Sequence, residues 1–250
     1  MNRFLLAITF CWFHFVVIAQ QKMKPVEELI NAKESAWPML QKLISKAKNK
    51  VDILPCDTVK AKEALYHTQV TTRSPMGSIV FETGGILIDS GWIRILGSGS
   101  SKLNRSLPDW NKGKSFKNFG DKASYYLVAD DAVGGFYAIN GGIFGQDLGK
   151  VYYLSPDDLE WESLEFTYTE FINFCFNGDL ALFYKEPRWK DWSKETLTLA
   201  GDKIYTFFPF LWSKEGEDIN KTSRKIIPVE EHFFSMLDMR KQLGLSKNGL

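Results

Sequence analysis

The sequence predicts an α+β fold, with an antiparallel sheet (a mixed sheet is the alternative) carrying N-terminal helices and a C-terminal helix. Three observations predict it. Apolar residues recur at three- and four-residue steps near the start of the chain and again over Val229–Leu243, which is the helical period. Between these segments the apolar residues fall in short β-type runs rich in Ile, Val, Tyr and Phe, separated by turns bearing Gly, Asn and Asp. The composition is that of a globular protein, with 250 residues, 44% hydrophobic and 24% charged. Lys and Arg total 31 against 30 Asp and Glu, a formal charge of +1, so no cation excess exists to neutralise phosphates and no nucleic-acid partner is expected.

The first nineteen residues read as a secretory signal. Arg3 supplies a positive start, Phe4 to Ile18 is apolar, and Val17-Ile18-Ala19 resembles a cleavage site with the cut after Ala19. The run is shorter than the ~20 residues a helix needs to cross a bilayer. Cys11 lies inside it after Phe10, which does not suit lipidation. Cleavage removes the one cation and brings the formal charge to neutral. A periplasmic or secreted protein is expected, with residues 20–250 forming a single α+β domain and no stable membrane insertion after cleavage. Export would permit a disulfide between Cys56 and Cys175. Their spacing does not reveal whether they meet, and two buried thiols are the expectation.

Taken in order, Val26–Lys48 has helical periodicity that Pro38 should split or kink. Val51–Leu54 suits a short strand and Asp57–His67 a helix. Ile79–Glu82, Ile86–Asp89 and Trp92–Leu96 read as strands of a meander. Gly97–Lys122 lacks periodicity and reads as a long loop. Tyr125–Ala129, Gly135–Ile139 and Lys150–Leu154 form a second strand set. Thr167–Asn177 reads as a helix with Gly178 as its cap, and Asp179–Tyr184 as a further helical turn. Ile204–Phe208 suits a strand, and Pro228 should sit just ahead of the closing helix, where its missing N–H is harmless.

Reactive constellations are sparse. Only His67 and His232 follow the leader, and neither has a partner at metal-ligand spacing, so no metal and no cofactor is expected. No Gly-x-Ser-x-Gly elbow occurs. Gly97-Ser98-Gly99-Ser100-Ser101 lacks the Gly-Lys-Ser/Thr of a phosphate-binding loop and reads as a flexible connection. Asp157, Asp158, Glu160, Glu162 and Glu165 cluster as a solvated acidic edge. Glu82 and Arg94 fall in apolar runs that would neighbour each other, where inward charges must pair, so an interstrand ion pair is expected. Arg73, Arg94, Trp110 and Arg188 are the candidate contact residues, since Trp and Arg dominate recognition hot spots.

The middle of the chain carries a further pattern: Thr71-Thr72-Arg73-Ser74-Pro75-Met76-Gly77, Glu82-Thr83-Gly84-Gly85-Ile86, Gly91-Trp92-Ile93-Arg94-Ile95-Leu96-Gly97, Gly134-Gly135-Phe136-Tyr137-Ala138, Gly149-Lys150-Val151-Tyr152-Tyr153-Leu154-Ser155-Pro156-Asp157 and Leu159-Glu160-Trp161-Glu162. It resembles the bacterial domain-of-unknown-function family 2625 from about Val26 to near the C-terminus. That family implies no catalytic residues. The stretch from Gly134 to Tyr184 is also similar in style to the SUKH superfamily of α+β domains, many of which bind and block polymorphic toxins. SUKH proteins are mostly cytosolic, and the leader departs from that pattern. The resemblance implies a non-catalytic protein-binding domain with a protein partner. The alternative is an exported hydrolase working through Glu82 and Arg94 or through Asp157–Glu165, and a third reading is a structural envelope component.

Overall fold

The computed structural model describes residues 23–246 and 250, so the signal-type leader lies outside the described residues. Two short helices open it, α1 (Val26–Leu29) and α2 (Trp37–Ile44). Pro38 occupies the first turn of α2, where its missing donor costs nothing. The break falls upstream instead. There Thr72 holds the connection, accepting from Ala36 N and donating to Leu29 O, both at 2.9 Å.

Strand β1 (Val51–Leu54) leads into α3 (Thr58–Thr68), whose N-cap Asp57 accepts from the amides of Val59 and Lys60. Next comes α4 (Pro75–Glu82). The Ile79–Glu82 run is therefore helical and not the strand its β-branched residues suggest. Ser74 caps the helix through Gly77 N at 3.0 Å, Pro75 presets the first turn, and Ile79 and Val80 are fully buried. Capping and burial override β-propensity.

Strands β2 (Gly85–Ile88) and β3 (Ile93–Leu96) follow. The segment expected to be a loop holds α5 (Leu107–Asn111), capped by Ser106. Then come β4 (Tyr125–Asp131), β5 (Phe136–Asn140), β6 (Lys150–Leu154) and β7 (Trp161–Thr167). Helix α6 (Tyr168–Asn177) starts from a capping box between Thr167 and Glu170, and α7 (Leu180–Phe183) is capped by Asp179. The aromatic C-terminal stretch supplies α8 (Trp192–Thr198), β8 (Lys203–Phe208), β9 (Ser223–Pro228) and α9 (Val229–Gln242).

Strands β1 to β7 form one sheet in sequence order, each antiparallel to the next, while β8 and β9 make a separate antiparallel ribbon. The mixed alternative is thereby replaced by a pure meander. Short connections join β2 to β3 and β4 through β7, and such connections suit antiparallel neighbours, whereas β1 reaches β2 through α3 and α4 and β3 reaches β4 through α5. Rings fill the interior: Trp92, Phe136, Tyr137, Phe171, Phe176 and Phe233 are fully buried. Among the described residues no helix is long and apolar enough to cross a membrane.

Candidate functional site

A row of residues runs across one face of the sheet. Asp52 on β1 lies opposite Leu87 on β2, Leu87 opposite Arg94 on β3, and Arg94 opposite Asp130 on β4. Directly opposed residues share a face, so this row lies on one side of the sheet. Arg94 Nε reaches Asp130 Oδ1 at 2.6 Å, and Arg105 Nη1 lies 2.5 Å from Asp130 Oδ2. The side chains of Arg94 and Asp130 are essentially inaccessible. Burial lowers the pKa of Arg94, while Asp130 and Asp131 oppose that shift.

The two guanidinium groups do more than satisfy one carboxylate. Arg105 donates from Nε and Nη2 to Gly201 O at 3.2 and 2.8 Å. Arg94 donates from Nη1 to Lys203 O and from Nη2 to Asp131 O, the latter at 2.9 Å. They thus tie the segment after α8 to the sheet. Between that segment, the 101–104 loop and the sheet face lies a cleft of about 370 Å³. Leu87 and Arg94 contribute to its lining, as do Asp52 and Lys102, with residues 196–202 forming the opposite wall.

Asp131, the next residue, faces a different set. Its Oδ1 accepts from Val133 N at 3.1 Å and Gly135 N at 2.8 Å, and its Oδ2 from the hydroxyls of Tyr153 at 2.7 Å and Tyr184 at 3.3 Å. The Tyr184 and Tyr137 hydroxyls also hydrogen-bond each other. Burial pushes the Asp131 carboxyl up to about 6, against the pull of Tyr153 and the Gly135 amide. Gly134 and Gly135 make the arrangement possible. Gly134 has φ +88, and a Cβ there would strike the His232 ring; at Gly135 it would strike Tyr153 Oη and Asp131 Oδ2. His232 is pressed against this turn, and burial brings its pKa down to about 4.

The four candidate contact residues lie in different settings. Arg73 pairs with Glu34 at 3.0 Å, with both side chains 59% exposed. Arg94 forms the floor of the cleft. Trp110 is buried, with Arg105 4.6 Å and Lys114 4.2 Å from its ring centre. Arg188 pairs with Asp89 at 2.6 Å and lies 3.9 Å from the ring centre of Trp192 and 5.0 Å from that of Trp92. Of the four, Arg94 lines the cleft, whereas Arg73, Trp110 and Arg188 do not.

The expected Glu82–Arg94 pair is corrected. Glu82 ends α4 and is half-buried, which raises its pKa, whereas Arg94 is committed to Asp130. In the acidic group, Glu162 and Glu165 lie exposed on β7, and Asp158 is raised mainly by burial. Cys56 and Cys175 are unbridged; Cys175 is buried and Cys56 half-buried. Among the described residues no cluster of three or more His, Cys, Asp or Glu could hold a metal ion. The Gly97–Ser101 loop cannot cradle a phosphate with its own amides. Those of Ser98, Gly99 and Ser100 donate to Thr83 O, Gly84 O and Leu103 O.

Asp130, Asp131, Arg105 and the three tyrosines were not singled out by sequence. The signal lay in Asp130-Asp131, which ends an apolar strand and precedes Gly134-Gly135. A turn reading absorbed both acids, although they belong to a buried strand end.

The fold and this site define an α+β protein built on a seven-stranded antiparallel meander, with a cleft on one sheet face lined by both charged and apolar residues. The chain belongs to the family described as "Protein of unknown function DUF2625", whose model matches residues 26–232. It is 43% identical over 211 residues to an uncharacterised protein of Haemophilus influenzae, covering 84% of this chain and 92% of that one. It is 40% identical over 219 residues to the uncharacterised protein YbfG of Escherichia coli K12, covering 88% of this chain and 98% of the relative. No solved structure matches the chain.

Proposed function

We propose that this protein is an exported, non-catalytic binding domain of SUKH-like, immunity-type character, and that its partner is a protein. The observation that carries this reading is the β8–β9 ribbon. Among the described residues strand β9 pairs only with β8, and the ribbon presents Phe208 at 69% and Ile226 at 50% exposure. Phe210 continues from Phe208 and stacks on Trp212, with ring centres 5.3 Å apart. A free strand edge beside exposed rings suits a partner that adds a strand and seats apolar side chains. The SUKH-like run from Gly134 to Tyr184 supports the immunity character. The hydrolase reading rests on Glu82 with Arg94, which Asp130 already engages, or on the Asp157–Glu165 group, of which Glu162 and Glu165 lie exposed on β7.

A photo-crosslinking amino acid placed at position 208, in cells of the source organism, tests the proposal. One recurrent protein adduct is expected, weakened by Ile226→Asp and absent when the probe sits at the distant-in-sequence, 66% exposed Leu148. The same diffuse adducts from both positions would count against the ribbon as an interface. Export is checked separately by N-terminal sequencing of the purified protein, with Gln20 expected as the first residue; an intact Met1 would remove that part of the proposal.

A further inference from the structure

We infer that the cleft over β1–β3 is a binding site for a free α-amino acid with an apolar side chain. This inference does not rest on the partner-binding reading.

The argument begins with size and rigidity. A cleft of about 370 Å³ falls within the range of small-ligand sites, roughly 300–1,000 Å³. Its floor is preorganised, because Arg94 is locked by Asp130 and by two backbone carbonyls, and Arg105 holds the opposite wall through Gly201 O. Little conformational entropy is then lost on binding.

Charge narrows the ligand class. Lys50 and Lys102 line the cleft together with Asp52 and Asp202, and Arg94 in the floor already has its charge answered by Asp130. An anion would meet two carboxylates there and a cation would meet two ammonium groups, and such like-charge contacts are costly. A zwitterion matches both signs. Spacing narrows it further. Lys102 Nζ stands 3.4 Å from Asp52 Oδ2, so the two charges are neighbours. An α-amino acid carries its ammonium and carboxylate on one carbon, and it can therefore face this pair head to tail. A longer peptide separates its terminal charges and cannot.

The Lys102–Asp52 pair is also free to exchange. Its side chains are 63% and 48% exposed, and exposed pairs of this kind contribute little to stability. Opening it to a ligand carrying the same two charges costs little. Leu87 lies in the floor, directly opposite Asp52 across the strand pair, and Leu199 and Ala200 line the facing wall. These supply the apolar surface for the side chain of the ligand.

Isothermal titration of the full chain with L-leucine, N-acetyl-leucine, leucinamide and glycyl-leucine tests the inference. Saturable 1:1 binding of L-leucine is expected, with at least a tenfold loss when either charge is capped and a weaker response to the dipeptide. Asp52→Asn and Lys102→Gln should each weaken leucine at least tenfold while leaving the thermal transition in place, since both side chains are largely exposed. No saturable leucine binding would overturn the inference. So would equal affinity for the capped compounds, or glycyl-leucine binding as tightly as leucine.

Discussion

Asp131 and His232 are two buried titratable groups on either side of the Gly134–Gly135 turn, and burial displaces them in opposite directions. Asp131 moves from 3.8 up to about 6, so its folded form holds a proton that the unfolded chain has released. Its contribution to stability is present in acid and is lost as pH rises through about 6. His232 moves from 6.5 down to about 4. Its contribution is present above 6.5 and is lost as pH falls through about 4. Each displacement corresponds to about 3 kcal/mol, and the two slopes oppose each other between pH 4 and 6. Relative to the parent, Asp131→Asn should become progressively less stable on acidification across that window, and His232→Gln progressively more stable. Urea denaturation at pH 4, 5, 6 and 7 measures both differences; parallel curves for parent and variants would refute the assignment. The neighbouring Asp130 supplies a second prediction at this scale. Asp130→Asn leaves two buried guanidinium groups without their carboxylate and should cost about 3–5 kcal/mol. A loss below 1 kcal/mol would mean the pair is not buried as described.

At the scale of elements, the differences between sequence and structure have identifiable causes. The second half of helix α4, Ile79–Glu82, reads as a strand because Ile79, Val80 and Phe81 favour strands. The Ser74-Pro75 start and the buried face of the segment made it helical. Ser74→Ala should therefore cost about 1 kcal/mol, measured as a lower denaturation midpoint with unchanged m-value. No change would mean that the cap contributes nothing to α4. Strand β7 escaped detection because its Glu162 and Glu165 read as a solvated acidic edge. An edge strand permits such side chains, since only one of its ladders is used and charge there discourages unwanted pairing. Strand β9 was missed for a similar reason. Arg224, Lys225 and Pro228 make it look like a loop, yet residue-by-residue pairing with β8 spans Lys203–Phe208. The strands legible in the sequence, β1 to β6 and β8, are short apolar or β-branched runs, and β2 to β6 are marked further by Gly, Asn or Asp turns.

Over the whole molecule, the meander alone does not explain how the C-terminal third is held. That third is fastened by polar groups as well as rings: Arg105 to Gly201 O, Arg94 to Lys203 O, and Tyr205 N to Ala132 O at 2.8 Å. Arg105→Gln should loosen the wall of the cleft without dissolving the sheet. Hydrogen exchange is expected to quicken at the amides of Leu199 and Lys203, which bond locally to Thr196 O and Ala200 O, and to stay unchanged in β5. Uniform acceleration throughout the chain would indicate that Arg105 supports global stability rather than this attachment.

The sequence by itself determined the α+β class, the antiparallel strand order through the middle of the chain and the family. These follow from local periodicity, turn chemistry and motif strings, all of which are written along the chain. Only the tertiary structure decided that Asp130 answers both Arg94 and Arg105, that Asp131 turns toward the hydroxyls of Tyr153 and Tyr184, and that Asp52, Leu87 and Arg94 share one face beneath the 196–202 segment. A charge finds its partner through space, and register across four strands is set by the packing of the whole sheet, which no short window of sequence contains.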